Sequence, residues 1–92
     1  MPDPEFLFAL ELSDETTFDR MLTDIAKAVS VHLGLAQAAV DALVVGLRDE
    51  LSRAAAAGRR RGDVRFRTRA GELEIVVAYD DGAHWRSTRP LP

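Results

Sequence analysis

Val64-Arg65-Phe66-Arg67-Thr68-Arg69-Ala70-Gly71-Glu72-Leu73-Glu74-Ile75-Val76-Val77-Ala78-Tyr79 contains two alternating runs around Ala70-Gly71, and their register decides the fold. If Ala70-Gly71 is a two-residue turn, Arg69 faces Glu72 and Arg67 faces Glu74. The same pairing sets Thr68, Phe66 and Val64 across from Leu73, Ile75 and Val77. A three-residue loop would instead put Phe66 opposite Glu74, and a one-residue slip of this kind sends every side chain to the wrong face. The spacing therefore predicts a hairpin of Val64 to Arg69 with Glu72 to Tyr79. The turn type is less closely specified, because a type I′ turn prefers Asn or Asp where Ala70 stands.

Upstream of the hairpin, Gly58 to Gly62 encloses Arg59, Arg60 and Arg61, a solvated connection between elements. Before it, Val40, Leu43, Val44, Leu47 and Leu51 recur at helical spacing and predict a helix from about Ala36 to Ala57, stopped by Gly58. Ala54 to Ala57 extends this helix at little cost, since alanine has the highest helix propensity. Phe18, Met21, Leu22, Ile25, Val29 and Leu33 form the apolar stripe of an earlier helix. Ser13 and Asp14 are its expected cap, and Gly34 its expected stop. Phe6, Phe8, Leu10 and Leu12 alternate with Leu7, Ala9 and Glu11, predicting a first strand over about Glu5 to Leu12.

The order β-α-α-β-β implies an α+β fold, a two-layer sandwich with both helices on the Phe6, Phe8, Phe66, Ile75 and Val77 face of a small, mainly antiparallel sheet. The other face would carry Leu7, Ala9, Glu11, Arg65, Arg67, Val76 and Ala78, either solvated or offered to a partner. With 92 residues the chain has room for one core, so residues 1–92 are expected to form a single domain. A small core without disulfides favours association with a partner or with itself, a homodimer included.

Apolar residues make up 47% of the chain and charged residues 29%, which argues against wholesale disorder. The absence of cysteine excludes disulfide frameworks, cysteine-ligated zinc and thiol catalysis, and fits a cytoplasmic setting. Met1-Pro2-Asp3-Pro4-Glu5 does not read as a secretory signal, and no apolar run is long enough for a membrane helix. One lysine, Lys27, stands beside arginines and alanines in excess, a bias in keeping with a high-GC bacterial genome. The formal net charge of -3 conceals an acidic first half and an arginine-rich second half. That asymmetry can steer an acidic partner, whereas the acidic balance argues against a dedicated nucleic-acid binder.

Ser13, Asp14 and His32 or His84 offer triad residue types without a nucleophile elbow. His32 is better read as a cap at a helix C-terminus. Asp80 and Asp81 lack an EF-hand pattern and suit a turn. No catalytic or metal-binding set is complete.

Two local segments add to the order of elements. Val44-Val45-Gly46-Leu47-Arg48-Asp49-Glu50-Leu51-Ser52-Arg53-Ala54 lies on the second helix, and Tyr79-Asp80-Asp81-Gly82-Ala83-His84 ends the hairpin. Together they resemble the first part of the ATPase domain shared by histidine kinases, gyrase and the anti-sigma-factor serine kinases. The likeness spans nearly all of this chain and about two-thirds of such a domain. It implies that Asp49 and Arg53 stand where the family carries a Glu and, four residues on, a magnesium-holding Asn. It also implies that Asp80 stands where the adenine amino group is bound, with Gly82 allowing close approach. Arg53 in place of Asn puts a cation at a metal ligand's position, and His84 replaces a second glycine.

The resemblance thus implies a degenerate relative: a non-catalytic, regulatory protein-binding module without efficient Mg-ATP binding. In the alternative, Asp49, Arg53, Asp80 and Gly82 still hold ATP or ADP in a pocket completed by a partner or second subunit. A third reading has Arg59, Arg60, Arg61, Arg65, Arg67 and Arg69 binding nucleic acid or another polyanion. Poor aromatic interleaving weakens it. Without the resemblance, Asp49 and Arg53 read as an exposed i, i+4 ion pair and Asp80 to Gly82 as a turn.

Overall fold

A computed structural model describes residues 6–12, 17–59 and 61–92, the first three of them by backbone alone. The elements are β1 (Phe6–Glu11), α1 (Phe18–His32), α2 (Gln37–Ala56), β2 (Gly62–Arg69), β3 (Glu72–Tyr79) and β4 (His84–Pro90). The expected α+β sandwich is present with one strand more than the sequence reading gave it, because the chain beyond Ala83 returns along β3. The sheet order is β1-β2-β3-β4, and every neighbouring pair is antiparallel.

The hairpin has the anticipated register, with Arg69 opposite Glu72, Arg67 opposite Glu74 and Phe66 opposite Ile75. Ala70 at φ 51° and Gly71 at φ 78° are both left-handed, as a type I′ turn requires. Holding alanine there costs about 1–2 kcal/mol. One row, Leu10, Val64, Val77 and Trp85, crosses all four strands. It lies on the helix side, where Val64, Phe66, Leu73, Ile75 and Val77 are fully buried and Leu10, Leu12 and Trp85 pack at the margin.

Both helices end in a Schellman motif. After α1, the Leu35 N–H donates to the Ser30 carbonyl and the Gly34 N–H to that of Val31. After α2, the Arg59 N–H donates to Ala54 and the Gly58 N–H to Ala55. The expected N-terminal cap at Ser13 and Asp14 lies outside the described residues.

The buried stripe of α1 is rotated from the expected one. Phe18, Leu22, Thr23, Ala26 and Ser30 are buried, Ile25, Val29 and Leu33 lie at the margin, and Met21 is 46% exposed. Small Ala26 and Ser30 suit close helix contact, and the Ser30 hydroxyl is satisfied by the Ala26 carbonyl at 2.7 Å. On α2, Val40, Leu43, Leu47 and Leu51 are buried as expected and Val44 half so, joined by Ala54 and Glu50. Gly46 faces β4, and a Cβ there would lie 3.7 Å from Trp85 Cζ2.

The face away from the helices exposes Ala9, Glu11 and Arg65 and half-buries Val76 and Ala78. At its centre Glu74 accepts from Arg67 Nε and lies 3.5 Å from Arg86 Nη1, so two guanidiniums cover one buried carboxylate. Among the described residues, no helix is long and apolar enough to cross a membrane.

Candidate functional site

Where the C-terminal half of α2 meets the far end of β3, five polar side chains form one chain of contacts. The face that buries Leu43, Leu47, Leu51 and Ala54 also turns Glu50 inward, since residues three and four apart share a face. Alternation along β3 points Tyr79 toward the same layer, after Leu73, Ile75 and Val77. The Tyr79 hydroxyl donates to Glu50 Oε2 at 2.8 Å within the protein interior. Glu50 Oε1 lies 3.3 Å from Arg53 Nη1, a turn further along α2.

The chain leaving α2 at Gly58 carries Arg59 over Tyr79, with its guanidinium carbon 6.0 Å from the ring centroid. Arg59 Nε then donates to Asp81 Oδ2 at 2.8 Å. That bond, followed by one from the Ala83 N–H to Asp81 Oδ1 at 3.0 Å, holds the Asp81 carboxyl below its ordinary range. It also holds the Arg59 guanidinium above its own. Burial, and after it the Glu50 hydrogen bond, raise the Tyr79 phenol.

Backbone contacts fix this end of the molecule. The Asp80 N–H donates to the Arg61 carbonyl at 3.0 Å, and the Leu12 N–H to that of Gly62 at 2.9 Å. Gly62 has φ +147°, and a Cβ on it would lie 2.0 Å from the Ala78 carbonyl oxygen. Only glycine permits that approach. Asp80, Asp81 and Gly82 form a three-residue hairpin loop closed by Tyr79 N–H to Ala83 C=O at 2.8 Å and Gly82 N–H to Tyr79 C=O at 3.0 Å. Gly82, at φ +90°, takes the left-handed position that such loops use.

Of the residues singled out from sequence, Arg53 and the loop of Asp80 and Gly82 lie at the two ends of this contact chain. Asp80 is exposed, and its described contact is through its backbone N–H. Asp49 is exposed on the outer side of α2. The ion pair of Arg53 is with Glu50, at i, i+3, in place of the i, i+4 pair with Asp49. Arg59, Arg65 and Arg67, three of the residues considered for polyanion binding, are paired with Asp81, Asp63 and Glu74. Arg61 and Arg69 are exposed, and Arg60 lies outside the described residues.

Sequence reasoning passed over Glu50, Tyr79 and the Arg59 to Asp81 bond. The available signal was Glu50 sharing a helix face with Leu43, Leu47 and Ala54, because a carboxylate there needs a buried donor. Among the described residues, no cluster of three or more His, Asp or Glu is disposed to hold a metal ion. No family model, curated protein or solved structure matches the chain.

Proposed function

We propose that this chain is a non-catalytic regulatory module that acts by binding protein, similar in architecture to an anti-sigma-factor kinase domain and without efficient Mg-ATP binding. The observation that carries the reading is that polar groups at the end of α2 and in the β3–β4 loop are engaged with one another. Glu50 holds Tyr79 and Arg53, and Asp81 holds Arg59. That donor set does not fit a magnesium-bound triphosphate. Arg53 brings a cation to the position, and the inward carboxylate is Glu50, beside Asp49. Counting four residues on from Glu50 reaches Ala54, a buried methyl with no atom to offer a metal.

Thermal unfolding with and without millimolar ATP or ADP and magnesium tests the nucleotide half of the proposal. The expected outcome is an unchanged midpoint. Ligand at a hundredfold excess over Kd would add about 2.7 kcal/mol, and each kcal/mol moves the midpoint of a domain this size by about 4–8 °C. A magnesium-dependent rise of that order, abolished by Asp80→Asn, would install the nucleotide-binding alternative. Chemical cross-linking in the host cell tests the other half. A defined protein adduct is expected, and recovery of the uncrosslinked chain alone would overturn the interaction reading.

A further inference from the structure

The outward side of α1 carries an open groove of about 420 Å³ lined by Thr17, Arg20, Met21, Asp24, Ile25 and Ala28. Its apolar floor explains why Met21 stands 46% exposed although its hydrophobicity suits a core. At 100° per residue, Arg20 and Asp24 fall along one flank of the groove and Met21 and Ile25 along the other, with Thr17 and Ala28 at the two ends of the seam. The first pair is centred on residue 22, the second on residue 23 and the third midway between, within one residue of a common level. A two-fold axis crossing α1 at that level and running across the groove keeps each flank on its own side and reverses the helix direction. Arg20 then meets Asp24 of the second copy, Met21 meets Ile25, and the small residues Thr17 and Ala28 meet at the ends.

An isologous interface requires this kind of self-complementarity. Among the described residues neither Arg20 nor Asp24 forms an ion pair within the chain, and each has its complement across the seam. We infer that the groove is occupied by a second copy of this chain, the two α1 helices packing antiparallel about Leu22 and Thr23. The inference deepens the protein-interaction reading by naming one partner and its surface. A seam one helix long, about 22 Å for 15 residues, lies below the standard interface size, so the dimer is weak and concentration-dependent.

Sedimentation equilibrium of the full chain over a micromolar to millimolar range tests it. The parent chain is expected to move from one to two monomer masses. Arg20→Asp sets two acidic residues against each other on both sides of the axis, and Asp24→Arg sets two cations together. Each is expected to weaken association at least about tenfold, since like charges are costly when juxtaposed. An equimolar mixture of the two single variants restores both opposite-charge contacts and is expected to form a heterodimer, as is the double variant R20D/D24R with itself. Circular dichroism on each variant separates lost folding from lost pairing. Met21→Glu should abolish association in every background.

A chain that stays monomeric at millimolar concentration overturns the inference, and so does a dimer indifferent to both charge reversals. Neither result bears on the proposed regulatory role, which the cellular cross-linking reads separately. Self-adducts lost with Met21→Glu while adducts to another protein persist would locate the two partners on different surfaces.

Discussion

Tyr79 is the chain's one tyrosine, so phenolate absorbance follows its ionisation without interference. Burial and the Glu50 hydrogen bond raise its folded pKa above the ordinary 10.0, and the folded protein keeps the proton that the unfolded chain gives up. The resulting stabilisation is complete below about pH 10 and is lost as pH climbs beyond that value, because the unfolded state then binds fewer protons. Alkaline titration is therefore expected to show phenolate appearing together with loss of the helical signal. Phenolate appearing at pH 10 in a still-folded chain would contradict the buried Glu50 contact. Tyr79→Phe takes the donor from Glu50 Oε2 and is expected to cost about 1–3 kcal/mol in urea denaturation. At this scale the sequence drew attention to Asp49, Arg53, Asp80 and Gly82, of which Arg53 joins the contact chain, and left Glu50 hidden. The sequence pairs Arg53 with Asp49, and only the packing of α2 against the sheet shows that its neighbour Glu50 takes that contact.

Helix α2 carries Gly46 in its interior, where glycine is less favourable than alanine by about 0.8–1.0 kcal/mol. A Cβ would meet Trp85 Cζ2 at 3.7 Å, an ordinary contact. Gly46→Ala is accordingly expected to raise the midpoint of thermal unfolding, and a fall would mean that Trp85 sits closer to the helix. The two helices and three of the strands were legible from periodicity and punctuation, and the β2–β3 register followed from the Arg–Glu pairs together with the apolar pairs on the opposite face. Strand β4 was not legible, because its inward positions are Trp85, Ser87 and Arg89, set against Val77, Ile75 and Leu73. With one apolar residue in three, alternation gives no signal, and pairing to β3 determines the conformation. The true inward face of α1 was masked in a similar way by Ala26 and Ser30, small residues whose role is to let α1 approach its neighbour.

Across the whole molecule the strands lie in the sheet in the order in which they occur in the chain, yet their connections differ greatly in length. Four residues join β3 to β4, while about 50 separate Glu11 from its partner Asp63. Each doubling of a loop adds about 0.6 kcal/mol of closure entropy, so the β1 contact carries roughly 2.2 kcal/mol more than the local turn. Assembly of β2, β3 and β4 is therefore expected to precede docking of β1. Stopped-flow kinetics read by Trp85 fluorescence will show this. Leu10→Ala, about 1–2 kcal/mol for a half-buried leucine, should speed unfolding and leave the folding rate nearly unchanged, and slowed folding would place β1 in the nucleus. The first of these four strands to leave the ribosome would thus be the last to find its place. Until it does, β2 presents an unpaired edge to the cell, and the nascent domain is most exposed to wrong partners during that interval.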